Sequence, residues 1–402
     1  MRITIDIRLL AKGGASGIEE YTRNLTSSLL SVDRVNDYSF FYNGFKKAPI
    51  SQFSALSSSR HLSDNILEGG IPPAAGEYPI VDWKIPNKIL DFSSHFLNWP
   101  KIDSLIKTDL FFSPHFNILS VKKTPRVITF HDLSFIHHPY FFSIRQKFWH
   151  WLQNVKKQAQ SATQIIAVSE FTKTDLINVF GIPAEKIKVI YSGISEEFKF
   201  VTSDHRQGGA GQRPPPQRDK QATRPYILYL GTLEPRKNVE AVIRAFNILK
   251  TKPDFRNFQL ILAGRPGWLY GNILKEAAHS PFQKDIVFLG AVRSAERADL
   301  YRNASVFVYP SFFEGFGFPP LEAQACGCPV VASLRTSLPE ILGDSALFID
   351  PWRVEETAAA IEELIGNQEK RRELIQAGFK NIQRFRWEKT TAATLEVFKT
   401  IV

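Results

Sequence analysis

Short apolar runs, each followed by an amphipathic stretch, recur along the chain, break off once, and then start again. Runs this short read as buried strands and the stretches between them as helices. The alternation therefore predicts parallel α/β domains, and its interruption predicts two of them. Residues 3–10 read as the first strand. After the loop over 11–17, Ile18, Tyr21, Leu25 and Leu29 share one helix face, and Ser16 with Glu19 has the spacing of a capping box at its start. Residues 110–112, 127–130, 165–168 and 189–191 read as further strands, whereas 40–105 has little periodicity. Residues 201–225, rich in Gly, Pro, Gln and charge, have almost nothing to bury and read as a linker. The pattern resumes with strands at 226–230, 260–263, 287–289, 306–309, 330–332 and 347–349. Helices fit at 239–249, 270–279, 294–303, 320–326, 354–366 and 369–379. The expected fold is thus two Rossmann-like α/β domains, 1–200 and 226–385, facing each other across a cleft. A ligand belongs in that cleft, at the carboxyl ends of the strands. A length of 402 residues is comfortable for two such domains.

Composition narrows the classes further. Hydrophobic residues at 44% and charged residues at 22% exclude a largely disordered chain. Two cysteines, Cys326 and Cys328, cannot staple a chain this long and have no second ligand pair nearby, so neither a disulfide framework nor a zinc site is expected. The first residues are interrupted by Arg2, Asp6 and Arg8 and do not read as a secretory signal. No stretch approaches the roughly 20 apolar residues of a membrane span. A cytoplasmic protein is expected. The net charge is +10, and the segment 121–160 holds seven basic residues against one acidic, with aromatics interleaved. One reading is a patch for anionic headgroups or phosphates, which would put the protein in peripheral contact with an anionic membrane at its inner face. The other is a helix with its aromatics inward and its lysines solvated. No nucleic-acid-binding module accompanies the segment, so nucleic acid is not an expected partner.

Four places carry chemistry. Gly13, Gly14 and Gly17 follow the first strand and precede a helix, which suits close backbone approach to a diphosphate. Residues 231–238, GTLEPRKN, set Arg236 and Lys237 side by side where a helix begins. Cations there oppose the helix dipole, and a bound anion explains both. An arginine fork and a lysine point charge together match a pyrophosphate. Both are expected to be solvent-exposed without ligand. Residues 314–322, EGFGFPPLE, place Glu314 in a loop and Glu322 early in a helix. Carboxylates accept well from vicinal hydroxyls of ribose or a hexose. His131 ends the strand 126–130, where it could donate to a ligand hydroxyl or carbonyl.

Taken with these motifs, the sequence resembles the retaining glycosyltransferases of the GT-B fold in glycosyltransferase family 4. Glu314 and Glu322 match the family's E-x7-E motif inside PSFFEGFGFPPLEAQACGCPVVAS, with GTLEPRKN upstream. The resemblance implies that Arg236 and Lys237 bind the donor diphosphate and stabilise the leaving nucleotide. It implies that Glu322 holds the ribose hydroxyls, and that Glu314 with the backbone at Phe316, Gly317 and Phe318 holds the donor sugar. His131 would contact the sugar near the reacting carbon, and the loop through Gly14 and Gly17 would close over the diphosphate. Domain 1–200 becomes the acceptor side, 226–385 the nucleotide-sugar side, and 386–402 a helix crossing back to the N-terminal domain. Thr232 stands where many members carry an arginine, which puts more of the charge stabilisation on Arg236 and Lys237. GTLEPRKN with HDLSF upstream resembles enzymes that build bacterial surface polysaccharides, often from GDP-mannose, on a saccharide or polyprenyl-linked acceptor. No D-x-D sequence occurs, which fits a metal-independent enzyme without a cofactor. Two other readings stay open: another nucleotide-sugar enzyme on the same fold, such as an epimerase, or a non-catalytic nucleotide-sugar-binding subunit of a transferase complex.

Overall fold

A computed structural model describes residues 1–12, 17–44, 78–198 and 224–401. The chain divides into two compact units, Met1–Gly193 with Phe385–Val402, and Ile194–Arg384.

The first unit is built on a seven-stranded sheet with every pairing parallel. Its strands are β1 (Arg2–Asp6), β2 (Asp37–Phe41), β3 (Ile80–Val81), β4 (Leu110–Ser113), β5 (Arg126–Phe130), β6 (Gln164–Ala167) and β7 (Ile187–Val189), in the order β3-β2-β1-β4-β5-β6-β7. Strands β4 and β5 are buried at every position, as strands covered on both faces must be. The helices are α1 (Gly17–Val32), α2 (Asn87–Phe96), α3 (Ser134–His137), α4 (Ile144–Gln153), α5 (Val155–Ser161) and α6 (Glu170–Phe180). Tyr21, Leu25 and Leu29 of α1 are fully buried, on the face the spacing predicts. The first strand stops at Asp6 instead of continuing to residue 10. The Arg8 side chain folds back onto the Asp6 carboxylate at 2.7 Å, and Arg8–Lys12 form a 3-10 turn. Gly17 opens α1, while Gly14 and Ser16 lie outside the described residues, as do 199–223 and, within 40–105, residues 45–77.

The segment 121–160 is not one helix. It contains β5, α3, α4 and α5, and its aromatics divide: Phe141 and Phe142 are buried, whereas Tyr140, Phe148 and Trp151 are exposed. Lys122 and Lys123 sit in the turn before β5, where their backbone N–H groups wrap the Asp103 carboxylate at 2.7–2.8 Å.

The second unit carries a six-stranded parallel sheet, β8 (Tyr226–Leu230), β9 (Gln259–Ala263), β10 (Ile286–Gly290), β11 (Val306–Tyr309), β12 (Val330–Ser333) and β13 (Leu347–Ile349), in the order β10-β9-β8-β11-β12-β13. Its helices are α7 (Val239–Lys250), α8 (Gly271–Ala278), α9 (Ser294–Asn303), α10 (Phe318–Ala325), α11 (Leu338–Leu342), α12 (Val354–Gly366) and α13 (Gln368–Asn381). The boundary between units falls after Gly193, not at residue 200. Phe198 is fully buried in the second unit, beneath the Arg297 guanidinium and edge-on to Tyr301.

The last helix, α14 (Trp387–Lys399), belongs to the first unit. It packs on α1, where Thr391 and Ser28 share a hydrogen bond of 2.7 Å, and the Thr390 hydroxyl donates to the Tyr191 carbonyl at 2.7 Å. A Cβ on Gly193 would lie 2.3 Å from the Trp387 backbone nitrogen, so only glycine lets the two segments cross there.

Candidate functional site

In the second unit the strand order reverses between β8 and β11, so the loops leaving their carboxyl ends are neighbours. The loop after β8 enters a 3-10 turn, Pro235–Lys237. Asn238 then takes a left-handed conformation (φ 55°, ψ 41°), which asparagine tolerates. Its Nδ2 donates to the carbonyls of Pro310 and Pro351, at 3.2 and 2.6 Å. One side chain thereby ties the β8 loop to the loops following β11 and β13.

This register delivers Arg236 and Lys237 onto Glu314. Lys237 Nζ donates to Glu314 Oε1 at 2.5 Å and to the Tyr309 hydroxyl at 2.7 Å. Arg236 Nη1 donates to Glu314 Oε2 at 3.3 Å and to the Phe313 carbonyl at 2.7 Å, while its Nε and Nη2 reach Glu234 Oε1 at 3.1 and 2.9 Å. The expectation of exposed cations is therefore corrected: Lys237 is buried, as are Glu234 and Glu314, and the Arg236 side chain is largely covered. Two cations and two carboxylates balance, because an unpaired charge this deep would be costly. Burial pushes the Glu314 carboxyl up, but Lys237 and Arg236 outweigh it and hold it below its ordinary value. Burial and neighbouring Arg236 lower the Lys237 amine despite Glu314. Burial, then the Glu314 charge, holds the Tyr309 hydroxyl well above its ordinary value, so it stays protonated.

Glu314 and Glu322 have separate partners. Glu322, on α10 and 1% exposed, accepts from Arg297 Nη1 at 3.0 Å and from the Tyr301 hydroxyl at 2.9 Å. Arg297 also lies over the Phe198 ring, 5.0 Å from its centroid. Between the two carboxylates, the Ser337 hydroxyl donates to the carbonyls of Glu314 and Phe316, at 2.9 and 3.3 Å. Gly317 turns the chain into α10 at φ 107°, with Phe318 first in the helix. Two of the first helical residues are Pro319 and Pro320, which have no N–H. Phe318 and Leu321 thus supply the amide donors of that first turn.

The residues that sequence reasoning did not single out are Glu234, Tyr309, Arg297 and Tyr301. Arg297 and Tyr301 stand four apart on α9 and so share a face. Tyr309 closes β11. Those positions were readable, but their partner was not.

In the first unit, His131 follows β5, and its Nε2–H donates to the Pro114 carbonyl at 2.8 Å. Pro114 follows β4, so the contact again joins neighbouring strand ends. The ring meets Tyr21 edge-on, with centroids 4.8 Å apart. Burial lowers the His131 imidazole to about 4, against the pull of the Pro114 carbonyl and Asp132, so it is neutral near pH 7. With Nε2 protonated and committed, Nδ1 is an acceptor. The expectation that His131 donates to a ligand is corrected: its remaining ring nitrogen can accept from a hydroxyl. Asp132 accepts from the Ser134 amide and hydroxyl at 3.0 and 2.7 Å and so starts α3.

The described residues contain no group of three or more His, Cys, Asp or Glu side chains arranged to hold a metal ion, and no helix long and apolar enough to cross a membrane.

Comparison with known proteins finds relatives of both units. The family model described as glycosyl transferases group 1 matches residues 213–381, and that described as Glycosyltransferase Family 4 matches 16–198. The chain is 33% identical over 275 residues to the O-antigen chain mannosyltransferase B of Escherichia coli, covering 68% of this chain and 70% of that protein. Among solved structures, it resembles sucrose-phosphate synthase from Thermosynechococcus elongatus, with a TM-score of 0.71 at 20% identity over 100% of this chain and 99% of that one. It also resembles Anabaena HepE in complex with UDP and glucose, with a TM-score of 0.70 at 20% identity over 100% of both chains.

Proposed function

The chain belongs to glycosyltransferase family 4, built on the GT-B fold, and on that premise we propose that it transfers mannose from GDP-mannose, with retention and without a metal, to a saccharide or polyprenyl-linked acceptor in surface polysaccharide synthesis. The observation that carries this reading is the Arg236–Lys237 pair at the strand-order reversal, locked onto Glu314. The 33% identity to an O-antigen mannosyltransferase supports the donor sugar. The absence of D-x-D from the sequence supports metal independence.

In the proposed reaction the bond between the sugar's anomeric carbon and the diphosphate oxygen breaks, and negative charge develops on that oxygen. The sugar passes through an oxocarbenium-like state. Arg236 and Lys237, now paired with Glu314 and Glu234, share their donors with the departing phosphate and stabilise it without reorganising water. The acceptor hydroxyl attacks the same face, and its proton passes to the departing phosphate oxygen. Glu322, its carboxylate oriented by Arg297 and Tyr301, accepts from ribose hydroxyls. Glu314 and the backbone at Phe316–Phe318 bind the sugar, and His131 accepts from a sugar hydroxyl through Nδ1.

The test measures nucleoside diphosphate release from GDP-mannose, UDP-glucose and UDP-N-acetylglucosamine, with and without EDTA, and the anomeric configuration of the product by NMR. GDP-mannose should be turned over fastest, EDTA should have no effect, and the α-anomer should be kept. Arg236→Ala or Lys237→Ala should each raise the barrier by about 2–4 kcal/mol, as for other preorganised charge-stabilising groups. Faster turnover of a UDP-sugar, or wild-type rates in both variants, overturns the reading.

A further inference from the structure

Among the described residues, seven other than glycine adopt a left-handed backbone, and four of those are asparagine, which tolerates it. Thr336, at φ 59°, is the β-branched one. A branch at Cβ crowds the backbone there, so the conformation is strained and persists only where its surroundings enforce it, as they do at ligand clamps. Thr336 lies in the loop between β12 and α11, against the turn Glu314–Gly317 of the site. Its hydroxyl accepts from the Glu314 amide at 3.0 Å and donates to the Arg335 carbonyl at 2.8 Å. The next residue, Ser337, is fully buried, and its hydroxyl donates to the Glu314 carbonyl at 2.9 Å. Leu338 follows and covers the far end of the turn, where a Cβ on Gly317 would lie 2.7 Å from Leu338 Cδ2. Three consecutive side chains thus grip one four-residue turn at both ends.

Glu314 is therefore held in two ways. Arg236 and Lys237 hold its carboxylate, whereas Thr336 and Ser337 hold its peptide. Glu314 is buried between the end of β11 and the start of α10, where no ladder or helix pairs its amide, and a buried amide needs an acceptor. The left-handed turn at Thr336 aims a hydroxyl at that amide. Glycine would take the same backbone without strain but has no hydroxyl; serine keeps the hydroxyl without the branch. We propose that Thr336 is a positioning residue for sugar transfer: its hydroxyl fixes the Glu314 peptide, and with it the backbone through Phe318, in the orientation that receives the donor sugar. This rests on the reading that Glu314 and Phe316–Phe318 bind that sugar. Glu322, assigned to the ribose, is held instead by Arg297 and Tyr301 on α9. Sugar positioning and nucleotide binding thus have separate supports, and a change at Thr336 should touch the first alone.

Three variants of the full chain separate the hydroxyl from the strain: Thr336→Val keeps the branch and loses the hydroxyl, Thr336→Gly loses both, and Thr336→Ser loses only the branch. Each is assayed for donor hydrolysis with whichever of GDP-mannose, UDP-glucose and UDP-N-acetylglucosamine the wild type turns over fastest, for binding of the matching nucleoside diphosphate by calorimetry, and for melting temperature. Thr336→Val and Thr336→Gly should each lower kcat about tenfold, the size of one lost hydrogen bond, with nucleoside diphosphate affinity within about twofold of wild type. Thr336→Ser should restore the rate. Thr336→Gly should melt no lower than wild type, because relief of strain offsets the lost bond; a merely structural residue would lose activity and stability together. Wild-type kcat in Thr336→Val and Thr336→Gly, a Thr336→Ser enzyme as slow as Thr336→Val, or a Thr336→Gly enzyme that loses stability in step with activity overturns the proposal. A wild type that turns over none of the three donors overturns the reading of the reaction instead. The clasp is then judged by amide hydrogen exchange at residues 314–318, which should be about tenfold faster in Thr336→Val than in wild type or Thr336→Ser; equal exchange in all three overturns it.

Discussion

Lys237 has two duties that pull in different directions. For a departing phosphate it must be a cation within reach; for the folded chain it is the counter-charge of a buried carboxylate. Replacing it by Ala removes both. Glu314 would be left buried with only Arg236, and breaking a buried pair from one side costs about 3–5 kcal/mol. Urea unfolding of Lys237→Ala should show a loss of that order, and adding Glu314→Gln should restore part of the stability but none of the activity. If the single variant unfolds like wild type, the pair contributes nothing to the fold. The sign with pH follows from the depressed carboxyl. The contribution of Glu314 is fully present above the ordinary carboxylate range and is lost as pH falls through its lowered value. His131 behaves analogously at a higher pH. Its imidazole is lowered to about 4, so the folded state resists a proton that the unfolded state takes up. The stability it confers is complete above the ordinary histidine value and drains away as pH drops towards about 4. The difference in melting temperature between wild type and His131→Asn should therefore shrink as pH is lowered from 7 to 5; a constant difference would mean that His131 titrates normally. At this scale the sequence was half legible. Arg236, Lys237 and Glu314 stand out because each sits where a strand hands over to a helix. Their burial does not stand out, because the counter-charge of Lys237 lies 77 residues away and the linear pattern treats a cation as solvated until its partner is known.

Between strands, loops and helices, the decisive feature is adjacency. Periodicity identifies β8 and β11 as strands, but only the order β10-β9-β8-β11-β12-β13 makes their ends neighbours. Tyr309, Arg297 and Tyr301 acquire meaning from that order, which is why motif spacing passed over them. The same holds for α14. Its amphipathic pattern is readable, and family resemblance suggests where it goes, but its seat on α1 depends on the crossing of Gly193 and Trp387. Trp387 is buried against Tyr21, with centroids 6.0 Å apart, and Tyr21 is the ring that meets His131. Trp387→Ala should cost about 3–5 kcal/mol, in the range of aromatic truncation in a core. Gly193→Ala should be comparably disruptive although it adds one methyl group, since that carbon would collide with backbone. Chemical denaturation of both variants, followed by hydrogen exchange across α1, checks this; wild-type protection of α1 in either variant would show that α14 is not needed to hold it.

Taken as a whole, the fold was the most readable level, because two runs of strand–helix alternation separated by a tract with nothing to bury leave few arrangements open. The placement of charge was less readable. The seven basic residues of 121–160 look like one patch in the sequence, yet the fold sends Lys122 and Lys123 to a turn and sets Arg145 and Lys147 on α4, beside the exposed Phe148 and Trp151. The return of Phe385–Val402 to the first unit bears on the order in which the protein can be made. As the nascent chain leaves the ribosome, residues 1–193 emerge first but lack the helix that covers α1. The second unit, continuous from 194 to 384, has all its strands while the first still waits. The part synthesised earliest is thus the last to complete its core, and until translation passes Trp387 the face of α1 that will receive α14 is open to whatever else in the cell binds apolar surface.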